Sequence, residues 1–478
     1  MRGVVNLRGG MRGGVPPWRH HRRCAPGGAP PPCRRVATSA PDAGGTLPLV
    51  RDVIHRALYA PDSGYFTQRD VIYAPPAYID FGALLGQYEY RQTLSRLYAA
   101  SDHAWLTPVL VFQPVYSHAI ARWLVRGVME LRARGGRHAA APLVVYEVGG
   151  GTGTNARHIC DYIAAHAPQL YRTLSYTVLE ISPALSARQT ALLQPHARVA
   201  RSVVADATRL ADAGVADARP CAVVACEVLD NLPHDKVRVR ERADGSLEAA
   251  EALVVEEEVF DSTTKSARLQ YTEDFRPLQE ATVREVLESL GLTSMDALHE
   301  LQADIAATEG AGAGAGLALG MHGLLSGLMS AAAPLEAFIP TGSQRLLGAL
   351  CQACPEHQFT IADFSWLPPQ PSGAILAPVV QTQRGGHTID MRGDYLRNPG
   401  YADILFPTHF GLLARLVGAA SKASRGSRGQ PVEVSHVSTA DFMRRHHDVK
   451  TTTTRDGFNP LLDDFVNTRI LWTGGDEM

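Results

Sequence analysis

An acidic residue followed by a cluster of glycines is the most chemically informative feature of the sequence. Residues 144–156 read VVYEVGGGTGTNA, in which Glu147 precedes Gly149, Gly151 and Gly153. The apolar run, the glycines and the polar residues after them predict a strand, a turn and the start of a helix. Glycine has no Cβ atom, so the backbone of such a turn can approach a nucleotide-type ligand closely.

Glu147 helps to choose between two classes of ligand. A carboxylate beside the turn disfavours a pyrophosphate and suits a ligand with a cationic end. S-adenosylmethionine carries an ammonium and a sulfonium group and no phosphate, so it is the predicted cofactor. Glu147 could accept a hydrogen bond from the ammonium group or orient the turn through a water. Gly151-x-Gly153-x-x-Ala156 also satisfies a dinucleotide pattern, so a dinucleotide-dependent oxidoreductase stays open as an alternative.

Two more acidic residues follow the next two predicted strands. Glu180 closes the second strand, where a carboxylate can accept hydrogen bonds from both ribose hydroxyls. Asp206 follows the third strand and could accept a hydrogen bond from the adenine amine. The alternatives are a surface acid at a strand end for Glu180 and an ordinary turn residue for Asp206. The predicted cofactor-binding residues are Glu147, Gly149, Gly151, Gly153, Glu180 and Asp206.

The segment after the fourth predicted strand contains the candidate catalytic residues. Residues 226–233 read CEVLDNLP and place Glu227 and Asp230 at the same edge of the sheet. If the methyl acceptor is a guanidinium group, these carboxylates could hold it through paired hydrogen bonds. One of them could then accept the proton that leaves the acceptor. The alternative is that Asp230 and Asn231 cap a helix.

These residues need a parallel sheet to bring them together. Candidate strands at 143–148, 176–180, 199–205 and 222–226 alternate with helical or loop segments. This alternation predicts an α/β fold with a doubly wound, mostly parallel sheet, as in Rossmann-like class I methyltransferases. Ligands of such sheets bind beyond the carboxyl ends of the strands.

The rest of the chain divides into segments that differ in composition and in predicted secondary structure. Residues 46–140 are predicted to form a helical amino-terminal segment, and 141–478 a methyltransferase domain with helical insertions, one of them at 270–305. A Gly/Ala-rich tract at 309–333 is predicted to be a flexible linker. Residues 1–45 are rich in arginine and contain no acidic residue before Asp42, which is typical of an organelle transit peptide. We therefore expect import into mitochondria, and the alternatives are import into plastids or a disordered tail.

Composition limits the possible partners. The net charge of −2 gives no reason to expect a nucleic acid as a partner.

Seven cysteines in 478 residues do not resemble a disulfide framework. Cys351-x-x-Cys354 could be a redox or half-zinc motif, but no second pair at zinc spacing accompanies it, so no metal is predicted. No apolar run approaches the roughly 20 residues that a membrane span needs.

Three segments together resemble the MidA-like family of mitochondrial methyltransferases, which are associated with assembly of respiratory complex I. They are EVGGGTGT at 147–154, YTVLEISPALSARQ at 176–189 and ACEVLDNLPHDKV at 225–237. Tyr59 with Gly64, Tyr65 and Phe66 also resembles the family's amino-terminal Y-x-x-x-x-G-Y-Y/F element. The likeness covers about residues 50–240 and is patchy afterwards.

The resemblance implies a protein arginine methyltransferase that uses S-adenosylmethionine and acts on a complex I subunit. Two departures accompany it. Residues 71–80 differ from the family's G-D-F-x-T-S-P-E stretch, and Cys226 replaces the asparagine before Glu227. These departures leave open a divergent paralogue with another acceptor, or an assembly factor without catalytic activity.

Overall fold

Fourteen strands are present in the part of the chain that the structure, a computed structural model, describes: residues 47–68, 71–99, 105–261, 266–313, 334–384, 387–397, 399–425 and 432–474. In chain order, they are β1 Val144–Val148, β2 Ser175–Glu180, β3 Ala200–Val204, β4 Cys221–Cys226, β5 Asp235–Glu241, β6 Leu247–Asp261, β7 Ser266–Pro277, β8 Leu335–Ile339, β9 His357–Phe364, β10 Val379–Arg384, β11 His387–Asp390, β12 Asp403–Leu405, β13 Val434–Ser438 and β14 Thr468–Thr473.

The described residues also form α-helices. Numbered in chain order over the same residues, they are α1 Val50–Tyr59, α2 Tyr65–Gln68, α3 Gln87–Ala99, α4 Pro108–Val111, α5 Val115–Ala133, α6 Thr154–His166, α7 Pro168–Tyr171, α8 Pro183–Leu192, α9 Ala281–Ser289, α10 Met295–Ala313, α11 Thr341–Ala353, α12 Phe410–Arg425, α13 Thr439–His446 and α14 Pro460–Asp463. Among the described residues, no helix is long and apolar enough to cross a membrane.

The central sheet has seven strands in the order β13-β14-β9-β4-β1-β2-β3. Strands β3, β2, β1, β4 and β9 run parallel, and β14 is antiparallel to both β9 and β13. The chain order reverses between β1 and β4. In doubly wound sheets, the crevice at such a reversal is where ligands bind.

Alternate residues of β1 face two different hydrophobic layers, as the two-residue period of a strand requires. Val145 packs with Ile120 of α5 and Ile159 of α6, whereas Val144 and Val148 belong to the layer that includes α11 and α12. All five residues of β1 are buried. Burial on both faces explains why the strand reads as a continuous apolar run interrupted only by Glu147.

The segment between β4 and β9 is not only helical, contrary to the sequence-based expectation. Strands β5 to β8 form an antiparallel sheet in the order β7-β6-β5-β8, and α9 and α10 follow β7. The predicted helical stretch 270–305 is therefore wrong up to Pro277, because those residues pair with β6. A third sheet contains β11, β10 and β12.

Two predicted segments fall wholly or partly outside the described residues. The predicted transit peptide at 1–45 lies outside them. Helix α10 continues to Ala313, so the first residues of the predicted linker at 309–333 are helical. The remainder of that linker, 314–333, lies outside the described part of the chain.

Candidate active site

A cavity lies at the reversal point of the central sheet, beyond the carboxyl ends of its parallel strands. Its volume is about 790 Å³, which includes space that is open to solvent. Five predicted site residues line it: Gly149, Gly151, Glu180, Asp206 and Glu227. Glu147, Gly153 and Asp230, which were also predicted to act in the site, do not line it.

The glycine turn connects β1 to α6. Gly149 and Gly151 line the cavity, and Gly151 has a φ of 54°, which disfavours any residue with a Cβ. Gly153 has a φ of 87° and caps the amino terminus of α6. A Cβ atom on Gly153 would lie 3.1 Å from the Cα atom of Gln189. Gly153 therefore allows the glycine turn to pack closely against Gln189, and it does not itself line the cavity.

Glu147 is buried behind the turn and makes contacts within the protein. Its Oε1 atom accepts a hydrogen bond from Asn155 Nδ2 at 2.8 Å, and its Oε2 atom accepts one from the Tyr176 hydroxyl at 2.9 Å. Burial raises the pKa of Glu147 to about 7. Of the two roles predicted for Glu147, these contacts favour orientation of the turn over direct contact with the cofactor, because Glu147 joins β1 to the first turn of α6.

Glu180 lines the cavity and is also bonded to the chain around it. Its carboxylate accepts hydrogen bonds from the Ser182 backbone N–H at 3.0 Å and from Gln189 Nε2 at 2.8 Å. The same Gln189 nitrogen lies 2.9 Å from the carbonyl oxygen of Gly151. Gln189 therefore connects the acid at the end of β2 to the glycine turn. Sequence reasoning noted Gln189 as part of a motif but assigned it no role.

Asp206 lines the cavity at the end of β3. Its Oδ1 atom accepts hydrogen bonds from the Thr208 backbone N–H at 2.9 Å and from the Thr208 hydroxyl at 2.7 Å. Asp206 thus has the turn-forming contacts that were the alternative to a ligand contact. The turn that Asp206 caps borders the cavity, so the turn-forming contacts and the predicted contact with adenine are compatible.

The turn after β4 brings Glu227 to the cavity wall but turns Asp230 away from it. Glu227 has a φ of 54°, and its N–H donates to the carbonyl oxygen of Ala362 at 2.8 Å. Asp230 is fully buried. The prediction that the Asp230 side chain contacts the acceptor is not supported by this position. Instead, Asn231 and Pro233 complete the wall beside Glu227.

The amino-terminal segment also contributes to the cavity wall, through His55, Tyr59, Phe66 and Ile72. The rings of Tyr59 and Phe66 stack with centroids 5.7 Å apart. Sequence reasoning did not predict that these residues line the site. The Y-x-x-x-x-G-Y-F element was the available indication, because two of its aromatic residues are Tyr59 and Phe66.

A buried arginine holds this segment in place. Arg51 of α1 forms ion pairs of 2.8 Å with Asp235 of β5 and with Glu280, just before α9. Arg51 is only 6% exposed, so water screens these pairs weakly. The insertion between β4 and β9 therefore fixes the helix that supplies His55 and Tyr59 to the cavity.

The charge of the cavity fits a cationic ligand. Glu180, Asp206 and Glu227 line it, and no lysine or arginine does among the described residues. Within those residues, no group of histidine, cysteine, aspartate or glutamate is placed to hold a metal ion. The side-chain-free surface at Gly149 and Gly151 together with these carboxylates suits S-adenosylmethionine better than a phosphate-rich dinucleotide.

The fold and the site define a class I S-adenosylmethionine-dependent methyltransferase. Residues 119–427, more than half of the chain, match a family described as "Putative S-adenosyl-L-methionine-dependent methyltransferase", and the chain belongs to that family. The predicted cofactor is thereby confirmed, and the dinucleotide alternative is not supported. No protein of curated function matches the chain.

Two solved structures share the fold over nearly the whole chain. One is a COG1565 superfamily member from Burkholderia thailandensis bound to S-adenosyl-homocysteine, with a TM-score of 0.53, 15% identity, and coverage of 92% of this chain and 90% of that one. Another COG1565 superfamily protein from the same organism gives a TM-score of 0.50 at 15% identity, with coverage of 91% and 89%. The predicted fold class is confirmed.

Proposed function

We propose that the chain is a MidA-like protein methyltransferase that modifies an arginine of a respiratory complex I subunit and supports assembly of that complex. The observation that carries the proposal is the position of Glu227 on the wall of an acidic cavity that no lysine or arginine lines among the described residues. A guanidinium group is the protein side chain that best fits paired hydrogen bonding to a carboxylate. The three sequence segments that resemble the MidA-like family support the same acceptor.

Four residues that line the cavity would hold the cofactor. Gly149 and Gly151 leave room for its methionine portion, Glu180 would accept from the ribose hydroxyls, and Asp206 would accept from the adenine amine. Gln189 keeps Glu180 and the glycine turn at a constant separation. When bound, S-adenosylmethionine supplies a methyl group that is activated by the positive charge on its sulfur.

Glu227 would act on the acceptor. Its carboxylate holds the guanidinium group in the cavity and accepts the proton that the acceptor nitrogen releases during transfer. Asp230 does not share this task, because its side chain is buried beneath the turn. Tyr59, Phe66 and Ile72 form part of the cavity wall and give it apolar surface.

A second candidate is an assembly factor that keeps the fold without catalysis. Residues 71–80, where the chain departs from the MidA-like pattern, include Ile72 on the cavity wall. Cys226, the second departure, immediately precedes Glu227. Such a factor would bind its partner equally well after Glu227 and Asp230 were both changed to alanine.

We further propose that the protein works in the mitochondrial matrix, on the strength of the arginine-rich, acid-poor residues 1–45. A fusion of these residues to a fluorescent protein should enter mitochondria, and a fusion with the arginines changed to glutamine should not. Cytosolic fluorescence of both fusions would contradict this location.

The proposed activity can be tested with the full chain. We expect calorimetric titration to show binding of S-adenosylmethionine and S-adenosyl-homocysteine. Incubation of mitochondrial extracts with the protein and isotopically labelled donor, followed by mass spectrometry, should then find labelled methylarginine in a complex I subunit. Label on another residue type would overturn the arginine acceptor. Donor binding without any transfer would favour the assembly factor.

A further inference from the structure

The end of β9 holds the backbone of the turn that carries Glu227. The N–H of Glu227 donates to the Ala362 carbonyl oxygen at 2.8 Å. The N–H groups of Leu229 and Asp230 both donate to Oδ2 of Asp363, at 2.9 and 3.2 Å. Two consecutive residues of β9 therefore accept hydrogen bonds from three of the four residues between 227 and 230.

This turn contains an unfavourable backbone conformation. Glu227 has a φ of 54°, in the left-handed region that residues other than glycine rarely adopt. Such a conformation persists only where the surrounding structure imposes it, and it is frequent at functional sites. Here it places Glu227 at the cavity wall. The hydrogen bonds to Ala362 and Asp363 hold the backbone at Glu227 and on the carboxyl-terminal side of it.

Asp363 is unusual because an aspartate is rarely buried as completely as this one. Its side chain is 1% exposed, and its Oδ1 atom accepts from the Phe364 N–H at 2.7 Å. Burial and the nearby carboxyl of Asp230 raise the pKa of Asp363 well above its usual range. Burying this carboxyl group costs free energy, and the three backbone N–H groups that donate to it offset part of that cost. Asp363 does not line the cavity, so it cannot contact a ligand there directly.

We propose that Asp363 is a positioning residue for methyl transfer: it holds the Leu229 and Asp230 amides and thereby keeps Glu227 oriented into the cavity. This inference rests on the proposed function, because it takes Glu227 as the group that meets the acceptor. The donor half of the cavity, at Gly149, Gly151 and Glu180, lies at the ends of β1 and β2, which β4 separates from the strand of Asp363. Loss of Asp363 should therefore affect transfer and acceptor binding while sparing the donor.

The experiment compares Asp363→Asn and Asp363→Ala with Asp217→Asn in the full chain. Asp217 is a matched control: it is buried and accepts the Arg219 backbone N–H at 3.0 Å. It lies before the start of β4, at the opposite end of that strand from the site. Asparagine keeps one acceptor oxygen for Leu229 and Asp230, so it is the conservative variant.

We expect Asp363→Ala to lower kcat by about 10- to 100-fold, as for a misplaced catalytic group, and Asp363→Asn to recover part of that loss. The Kd for S-adenosyl-homocysteine should stay within about twofold of the wild-type value, well under the tenfold that 1.4 kcal/mol would cause. Asp217→Asn should change stability without changing kcat. An unchanged kcat in Asp363→Ala, or a donor Kd that rises as kcat falls, would overturn the role.

Hydrogen exchange separates this inference from the proposed function. The amides of Leu229 and Asp230 should exchange faster in Asp363→Ala than in the wild-type protein, and those of the glycine turn should not. This result does not require any acceptor. If no arginine is methylated by the wild-type protein, the proposed function fails, yet the exchange measurement still decides whether Asp363 holds the turn. Equal exchange at both amides would remove the inference.

Discussion

The hydroxyl group of Tyr59 donates a hydrogen bond to the backbone carbonyl of Asn231 at 3.1 Å. This bond joins α1, at the beginning of the described chain, to the turn after β4. Both residues line the cavity, where they are direct neighbours. Asn231 is also held from the other side, because its Nδ2 atom donates to Asp403 at 2.7 Å and to the Ile404 carbonyl at 3.0 Å. The amino-terminal wall and the acceptor turn are therefore one connected unit.

Changing Tyr59 to phenylalanine removes this link and keeps the ring that stacks on Phe66. We expect the free energy of unfolding to fall by about 1 kcal/mol, the usual contribution of one hydrogen bond. Urea denaturation of the full chain measures it. Tyr88→Phe is the matched control, since Tyr88 is 74% exposed. Equal stabilities of the two variants would show that the link to Asn231 adds nothing.

Changing Gly151 to valine should abolish donor binding. Its φ of 54° is strongly unfavourable for a β-branched residue, and its Cβ would lie 3.3 Å from Ile72 Cδ1 at the cavity wall. Calorimetric titration with S-adenosyl-homocysteine measures the effect. Gly348→Val in α11 is the control, because nothing lies within 4 Å of a Cβ atom there. Wild-type affinity in Gly151→Val would refute a close approach of the ligand to this turn.

Changing Glu227 to glutamine should spare donor binding but suppress transfer. The side chain keeps its size, but it loses the charge that holds a guanidinium group and the capacity to accept its proton. A loss of roughly 100- to 10,000-fold in kcat is typical when a general base is removed. Single-turnover transfer of labelled methyl measures it, with the exposed exchange Glu258→Gln as control. Turnover equal to the wild-type rate would show that the carboxylate is not needed.

Glu147 should make stability depend on pH. Burial raises its pKa from 4.5 to about 7, so the folded state binds its proton more tightly than the unfolded state. The stabilisation is complete below about pH 4.5 and is lost as the pH rises through about 7, by about 3 kcal/mol in total. Glu147→Gln removes this titration, and the Tyr176 hydroxyl can accept from the new amide.

Urea denaturation between pH 4.5 and 8 tests this expectation. The wild-type free energy of unfolding should fall more steeply with pH than that of Glu147→Gln. The exposed exchange Glu288→Gln controls for the change of residue type. Parallel pH profiles for the wild-type protein and Glu147→Gln would mean that Glu147 titrates alike in the folded and unfolded states.

The elements that carry the cofactor site were predictable because their chemistry is local. Strands β1 to β4 lie within one or two residues of the predicted segments, since a buried parallel strand is a short apolar run bounded by turn residues. Gly149, Gly151, Glu180 and Asp206 then meet because each follows a strand of the same sheet. The antiparallel strands β6 and β7 were not predicted. Strand β6 is rich in alanine and glutamate, which favour helices, and it is a strand because it pairs with β5 and β7.

The amino-acid sequence alone determined the class of fold, the cofactor and the edge of the sheet at which the cavity lies. The tertiary structure decided which acidic residues line that cavity. Glu147 and Asp230 are acidic like Glu180 and Glu227, but Asn155 and Tyr176 hold the first of these acids, and the second is fully buried. Residues far apart in the chain, such as Tyr59 and Asn231, meet at the wall of one cavity. Such contacts depend on how distant elements pack, and no local pattern of residues records that packing.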